Sequence, residues 1–242
     1  MIKSISIILP LYNEAQRLKK TFKEIKKFLK RKTVTYVEVI FVNDGSKDNS
    51  DKMIKKFIKE NKKMKFKFKY FSLNKNSGKG AALKMGVKKA TKDWILTSDI
   101  DFSVSLFELH RWIRNDFINH NHSIYFGSRS HRQSKVDSKF YRKIAGNFLS
   151  FLINFILNIN IKDTQCGFKL YRSFIAKKIF SKIKFVGYEH DIEIVLLSKK
   201  LKERIVELPV TWKHVKLSKV NIFADSIKMF FKVFLIKIRH QL

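Results

Sequence analysis

With 242 residues, 45% of them hydrophobic, the chain is long enough for one large domain or two small ones around a real core. It has no apolar run of about 18 residues, which leaves no transmembrane-helix candidate. One cysteine, Cys166, excludes an intramolecular disulfide and a zinc cluster built on several thiolates, and fits a reducing cytosol. The net charge of +32 attracts polyanions, but the lysines are spread over the whole chain among abundant Asn and Ile. Anionic lipid is therefore as good a candidate partner as nucleic acid, each lysine near such a surface contributing on the order of 1 kcal/mol.

The N-terminal residues lead straight into a strand, Ser4–Leu9, stopped by Pro10, with no signal-peptide architecture. After Leu11-Tyr12-Asn13-Glu14, the spacing of Leu18, Phe22, Ile25, Phe28 and Leu29 predicts an amphipathic helix from about Gln16 to Arg31. Val37–Asn43 reads as a second strand. It runs into the turn Asp44-Gly45-Ser46-Lys47-Asp48-Asn49-Ser50, where Ser50 is placed to cap a helix over Asp51–Lys62. The lysine-interleaved stretch around Lys62–Lys69 has the look of an edge strand with a solvated face, and the third strand is Lys67–Ser72. The loop Asn74–Gly80 then opens a helix over Ala81–Ala90. Its Gly78-Lys79-Gly80 matches neither a Walker A pattern nor G-x-G-x-x-G; a phosphate contact at a helix start and an ordinary turn suit it equally.

The fourth strand, Trp94-Ile95-Leu96-Thr97, ends in Ser98-Asp99-Ile100-Asp101. Four strand–helix units without a hairpin signal predict βαβ crossovers and a parallel sheet, so the loops that follow the strands gather on one edge. Ligands of open α/β sheets bind beyond that edge. Asp99 and Asp101, two hard oxygen donors at i and i+2, suit Mg²⁺ or Mn²⁺ shared with a phosphate. A helix cap beside a solvated carboxylate is the alternative.

In the second half, Leu106–Asn119 reads as a helix and Ser123–Gly127 as a strand ending at Ser128-Arg129-Ser130. Lys139–Asn160 contains the apolar run Phe148–Leu157, too short to span a bilayer and suited to a buried or an interfacial helix. Asp163–Arg172 combines a turn, a short strand and cations, and Gly187–Ile194 opens a helix bearing Glu189, Asp191 and Glu193. Ile205–Val210 reads as an edge strand, marked by Pro209. A last helix, about Ile222–Arg239, sets Phe223, Ile227, Phe230, Phe231, Phe234 and Ile238 among lysines, a pattern suited to a membrane surface. No linker or repeat interrupts the chain, so residues 1–220 read as one domain and 221–242 as an amphipathic, membrane-interfacial extension.

Leu9-Pro10-Leu11-Tyr12-Asn13-Glu14, Val42-Asn43-Asp44-Gly45-Ser46 and Asp99-Ile100-Asp101 together resemble the family 2 glycosyltransferases. The resemblance implies an α/β chain with the GT-A nucleotide-sugar-binding fold, a mostly parallel central sheet flanked by helices. Gly127-Ser128-Arg129, Asp163-Thr164-Gln165-Cys166-Gly167-Phe168-Lys169-Leu170 and Trp212-Lys213-His214 with Ser218-Lys219 are similar to the dolichyl- and polyprenyl-phosphate β-glucosyltransferases. Polyprenyl-phosphate mannosyltransferases usually carry Ser and Arg around the Gly-Phe step, where this chain has Cys166 and Lys169. Two departures stand out. Phe102-Ser103-Val104-Ser105 follow the Asp pair, where the family commonly has a small or acidic residue, and the N-terminal anchor of the eukaryotic glucosyltransferases has no counterpart in the sequence.

What the resemblance implies is inverting, metal-dependent transfer of glucose from UDP-glucose to a polyprenyl phosphate, by an enzyme peripherally associated with the cytoplasmic face of an anionic membrane. Pro10, Tyr12, Glu14 and Asp44 are then donor residues around the nucleoside, with Lys79 and Asp99 beside them. Asp99 and Asp101 hold Mg²⁺ or Mn²⁺ against the diphosphate, and Arg129, Lys169 and Lys219 meet the acceptor phosphate. Asp191 matches a base position of transferases with hydroxyl acceptors; with an already anionic acceptor it positions or polarises. The catalytic set is thus Asp99, Asp101, Asp191 and Arg129. Taken as residues alone, Asp44 and Asp191 suit helix-start roles equally well. His190 and His214 read as structural hydrogen-bonders and Cys166 as a packing residue. A GDP-mannose-dependent mannosyltransferase and a transferase with a glycan hydroxyl acceptor are the alternatives, with a basic nucleic-acid-binding α/β protein behind them. Nucleic acid is not an expected partner, because acidic strand ends repel phosphates unless a metal intervenes, and no oligomeric state is implied.

Overall fold

Runs of Ile, Val and Phe bounded by turn residues favour extended chain, and amphipathic runs between them favour helices that cover the sheet. The computed structural model describes residues 2–119, 121–137, 153–187, 189–214 and 232–240. Its strands are β1 (Ser4–Leu11), β2 (Tyr36–Asn43), β3 (Lys67–Ser72), β4 (Trp94–Thr97), β5 (Ile124–Ser128), β6 (Lys135–Asp137), β7 (Lys169–Arg172), β8 (Ile205–Pro209) and β9 (Thr211–Lys213). The helices are α1 (Ala15–Lys30), α2 (Ser50–Glu60), α3 (Lys79–Lys89), α4 (Phe107–Arg114), α5 (Ser173–Lys182) and α6 (His190–Lys200), and residues 153–157 and 232–239 are also helical.

Seven strands form one sheet in the order β3-β2-β1-β4-β7-β5-β8, and β6 pairs with β9 in a small second sheet. The pairings β1–β2, β1–β4, β2–β3 and β5–β8 are parallel, as the four strand–helix units predict. β7 is the exception: it lies antiparallel to both β4 and β5. β3 and β8 are the edge strands, in agreement with the lysines of one and the proline of the other.

Alternation along the strands divides the core into two layers. Ile5, Ile7 and Leu9 of β1 meet α1, α2 and α4 through Leu18, Ile25, Phe57 and Leu109. Ile8 faces the opposite way, into a cluster with Leu83, Ile179, Leu196 and, from the C-terminal helix, Val233 and Ile236. Burying a side chain of this size stabilises the fold by roughly 1.5–3 kcal/mol relative to exposure.

Several boundaries differ from those expected. β1 continues through Pro10, which pairs with Val42; the ladder to β4 ends at Ile8, so no donor is needed on that side of the proline. Ser50 does not cap α2 from outside but stands inside its first residue, and its Oγ accepts the Glu14 N–H at 2.9 Å. α3 begins two residues early and so includes Lys79, because Gly78 takes a φ of +99° that lets the helix start there. α4 stops at Arg114, ahead of Asp116 with its φ of +50°. Of the described residues in the apolar run Phe148–Leu157, Ile153 and Leu157 are core residues and Phe155 points outward, so this part is buried on one face rather than lying wholly in an interface. Residues 139–152 and 215–231 lie outside the described residues, and with them Phe148, Lys219, Phe223, Ile227, Phe230 and Phe231.

Candidate active site

The chain leaves β1 toward β2 and β3, then returns to β4 on the other side of β1, so the sheet order reverses between β1 and β4. A crevice opens at such a point beyond the carboxyl ends of the strands. The loops that meet there are stitched together by short polar side chains. Asn13 N–H donates to Ser46 Oγ (2.9 Å), Ala15 N–H to Asp48 Oδ2 (3.0 Å) and Lys47 N–H to Asn13 Oδ1 (2.8 Å). Asp44, 3% exposed, accepts Ser77 N–H on one oxygen (2.7 Å) and Gly78 N–H on the other (2.8 Å). It thereby ties the loop after β2 to the start of α3.

A cleft of about 710 Å³ opens beside this lattice, lined by Tyr12, Asn43, Ser46, Asp51, Leu73 and Asn76 among others. Its size and polar wall suit a nucleoside-sized ligand. Tyr70 organises one side: its hydroxyl donates to Asp51 and accepts from Asn43 Nδ2 (2.9 Å). The Tyr70 hydrogen bond, reinforced by Lys55, keeps the Asp51 carboxyl below its ordinary range.

Asp99 and Asp101 follow β4 directly. Asp99 Oδ1 lies 2.6 Å from Lys79 Nζ, and its carboxylate packs on the backbone of Gly167, where an added Cβ would sit 2.4 Å from Oδ2. Asp101 Oδ1 accepts both the backbone N–H and the hydroxyl of Ser103 (2.9 Å each), and Oδ2 lies 3.9 Å from Arg17 Nη1. Among the described residues no group of three or more His, Cys, Asp or Glu side chains converges on one point. Two carboxylates, hard oxygen donors, suit a cation that takes its remaining ligands from water and phosphate, as Mg²⁺ commonly does.

The reversed direction of β7 brings the second half to the same edge. Thr97 stands opposite Lys169, and Gly127 N–H donates to Phe168 O at 2.8 Å, so the segment before β7 arrives beside the ends of β4 and β5. There Asp163, 6% exposed, receives Arg129 Nε and Nη2 on separate oxygens at 2.8 Å each and the Arg129 N–H at 2.8 Å. Burial opposes both charges, but each holds the other ionised: Asp163 titrates below its usual value and Arg129 above its own. Asp99 adds to the field at Arg129.

Lys169 is 1% exposed, its ammonium bonded to Asp191 and 4.7 Å above the Phe126 ring. Burial alone would raise the Asp191 carboxyl; His190, Lys169 and Lys79 outweigh it and hold the group down at about 2. His190 is fully buried, its Nδ1 2.6 Å from Gly187 O and its Nε2 3.3 Å from Asp191, and burial lowers its affinity for a proton. Cys166 packs in the core with its thiol pushed up to about 12 by burial, and is no nucleophile.

Tyr12, Glu14, Asp44, Lys79, Asp99, Asp101, Arg129, Lys169 and Asp191 thus come to one edge of the sheet, with changes in what they touch. Pro10 is buried within β1 rather than on the cleft wall. Asp44 spends its oxygens on backbone groups. Arg129 and Lys169, expected at an acceptor phosphate, are engaged by Asp163 and Asp191, each carboxylate compensating a cation drawn out of water. His190 makes the structural hydrogen bond foreseen for it, and Lys219 lies outside the described residues. Asn43 and Asp163 stand within the family motifs and Asn74–Asn76 within the loop before α3, none with an expected site role, while Arg17, Asp51, Ser72 and Leu73 belong to no motif. The position of that loop after a parallel strand was the available signal.

The model of one protein family, glycosyl transferase family 2, matches residues 6–180, from β1 through α5. The chain belongs to this family. As a family 2 glycosyltransferase it aligns over 98% of its length with the dolichyl-phosphate beta-glucosyltransferase of Dictyostelium discoideum, at 32% identity and covering 75% of that protein. The enzyme of the same name from Saccharomyces cerevisiae is 30% identical over 93% of this chain and 71% of its own. The human one is 30% identical over 98% and 76%. Among solved structures, glucosyl-3-phosphoglycerate synthase from Mycobacterium tuberculosis, in complex with Mn²⁺, UDP and glucosyl-3-phosphoglycerate, superposes with a TM-score of 0.68. It covers 96% of this chain and 79% of its own at 13% identity, which makes it a likeness of fold. The fold is thus GT-A, with the Asp99–Asp101 pair and the cleft within the matched region and Asp191 beyond it.

Proposed function

We propose that this transferase moves glucose from UDP-glucose to a polyprenyl phosphate, with inversion, at the surface of an anionic membrane. The observation that carries the reading is the near-full-length similarity to proteins named dolichyl-phosphate beta-glucosyltransferase, which extends beyond the donor half to the segments around Gly167 and Asp191. An acceptor phosphate oxygen attacks C1 of the glucose as the bond from C1 to the UDP oxygen breaks. The acceptor is already an anion, so no side chain has to remove a proton. Catalysis is then positioning and electrostatic stabilisation.

The polar cleft at Tyr12, Asn43 and Ser46 takes the nucleoside, and Lys79 and Arg17 face the diphosphate. Asp99 and Asp101 hold the divalent cation, Mg²⁺ or Mn²⁺, which when bound neutralises charge gathering on the departing UDP. The Mycobacterium tuberculosis synthase with Mn²⁺ and UDP supports this arrangement by likeness of fold. Arg129, with about a third of its side chain exposed, adds positive potential on the acceptor side. Asp191, kept ionised beneath Lys169, sets the position of that cation.

Support for a lipid surface comes from the C-terminal half. Phe155 (79% exposed) points outward from the helical segment 153–157, and Phe234, Leu235 and Ile238 (73%) from the segment 232–239 beside Lys232, Lys237 and Arg239. No helix among the described residues is long and apolar enough to cross a membrane. These side chains suit docking at the headgroup boundary of the cytoplasmic face, with the lysines drawn to anionic lipid.

The decisive experiment offers UDP-glucose or GDP-mannose, with Mg²⁺ or Mn²⁺, to protein and polyprenyl phosphate. Glucose on the lipid, lost in Asp101→Ala, is the expected result; mannose instead corrects the donor, and no transfer from either overturns the reading. Co-sedimentation with anionic liposomes at low salt tests docking, and protein left in the supernatant overturns that part.

A further inference from the structure

The acidic residues at the start of α6 look two ways. Asp191 turns to Lys169 and the candidate active site. Glu189 and Glu193, four residues apart and so on a common face, turn to the C-terminal helix. There Lys232 Nζ meets Glu189 Oε1 at 2.7 Å, and His240 Nε2 meets Glu193 Oε1 at 2.9 Å. Lys200 also donates from α6 to the carbonyl of His240. Val233 and Ile236, both fully buried, seat the same helix in the core layer that contains α6.

Glu193 has no exposed surface, and the C-terminal helix is only one of its attachments. Lys184 N–H and Phe185 N–H donate to its Oε2 at 3.0 and 2.8 Å. The loop it grips leans on the start of α3: Gly80 N–H donates to Val186 O (2.8 Å), and Lys84 Nζ to Ile183 O (2.8 Å). A Cβ at Gly78 would sit 2.4 Å from Val186 O, so the two backbones are in direct contact. Between those glycines stands Lys79, the partner of Asp99. Polar contacts and the short stretches of backbone between them therefore join the C-terminal helix both to Asp191 and to the Lys79–Asp99 pair.

We propose that Glu189, Glu193, Lys232 and His240 are positioning residues for sugar transfer: the seated C-terminal helix fixes the start of α6 and the loop 183–187, and through them Asp191 and Lys79. The inference rests on the reading that this sheet edge is where transfer occurs. Its physical basis is the cost of a buried carboxylate. With His240 gone, Glu193 is left with backbone donors alone in a dry site, and the least costly relief is to open the loop and admit water.

The test compares the full chain with the double variant Lys232→Ala/His240→Ala and with its conservative counterpart Lys232→Arg/His240→Gln, whose side chains still donate to the two glutamates. Amide hydrogen exchange and steady-state kinetics are the readouts. In the folded double-alanine variant, exchange at 184–193 and 78–80 should rise about tenfold or more while β1 and β2 stay protected. In the same variant kcat should fall about tenfold with a smaller change in the KM for acceptor, and the conservative variant should recover most of it. Unchanged exchange in those segments overturns the proposal whatever sugar is used, and so does faster exchange with wild-type kcat. Should the double variant fail to fold, Lys232→Ala alone, at a side chain 43% exposed, is read against the same criteria. If the wild-type protein transfers no sugar, the functional reading fails, while exchange still decides whether the C-terminal helix orders the two segments.

Discussion

Lys79 and Asp99 form an ion pair across the top of the sheet: they follow β3 and β4, strands separated by β2 and β1, yet Nζ and Oδ1 lie 2.6 Å apart. The early start of α3 at Gly78 and the reach of a lysine make this possible. With Asp99 41% exposed, solvent screens the pair, so its worth to stability is about 0–1 kcal/mol. Its worth to the proposed donor site is greater, because a cation at this place would face a diphosphate bound over Asp99. Lys79→Ala should leave the melting temperature within about 2 °C and raise the KM for nucleotide sugar about tenfold. An unchanged KM would remove Lys79 from the donor site.

Asp101→Asn should cost far more. The amide keeps an oxygen for Ser103 N–H but loses the charge that suits a divalent cation. Turnover should drop about 100- to 1,000-fold with the fold intact. Ser103→Ala, which removes only the supporting hydroxyl, should cost about tenfold or less. Equal losses in the two variants would mean that orientation, not charge, is the role of Asp101.

Gly167 tests whether Asp99 must stand where it does. Alanine there would place a methyl carbon 2.4 Å from Oδ2, forcing the carboxylate away from Lys79 or the backbone away from β4. We expect turnover to fall at least about tenfold and stability to change by less than about 1 kcal/mol, since a carboxylate 41% exposed can swing aside. Wild-type kinetics in Gly167→Ala would show that the Asp99 position is not critical.

Acid should weaken the pairs that join the second half to the sheet. Asp191 has its carboxyl lowered from an ordinary 3.8 to about 2, so its contribution is full above the unfolded value and is lost as pH falls from about 4 to about 2. Asp163, also lowered, acts in the same direction. The first is worth on the order of 2 kcal/mol. Asp163→Ala should destabilise by about 1–3 kcal/mol at neutral pH, since Arg129 loses its partner but keeps about a third of its side chain in water, and should flatten the acid limb of a stability–pH curve. A curve of unchanged slope in the variant would show that Asp163 is not a source of acid sensitivity.

The first four strands and the Asp pair were legible because their signal is local: a short apolar run, then acids, at the end of each βα unit. Legibility ended where a residue's meaning is set by a distant partner. Lys169 is one lysine among many in the sequence, and only Asp191 explains how it can be buried. Arg129 and Asp163 are likewise a pair that no periodicity connects. The direction of β7 escaped for a related reason, since four residues beginning and ending in cations carry no mark of parallel or antiparallel pairing. Arg17 was hidden differently. Its spacing from Glu14 suggests a local helix pair, which exists at 3.0 Å, but says nothing of Asp101.

The placement of β7 also orders the birth of the molecule. β3, β2, β1 and β4 are mutual neighbours, so that half of the sheet can assemble as soon as Thr97 has left the ribosome. β5 has no partner at that stage, for it pairs only with β7 and β8, both made later. The cleft lined by Tyr12, Asn43 and Ser46 is thus complete while the second half is still being synthesised. The second half closes on the first by threading one reversed strand between them, a long-range step that is intrinsically slow. If the proposed function holds, a nascent chain has its donor cleft formed before the acceptor side that would put a sugar nucleotide to use.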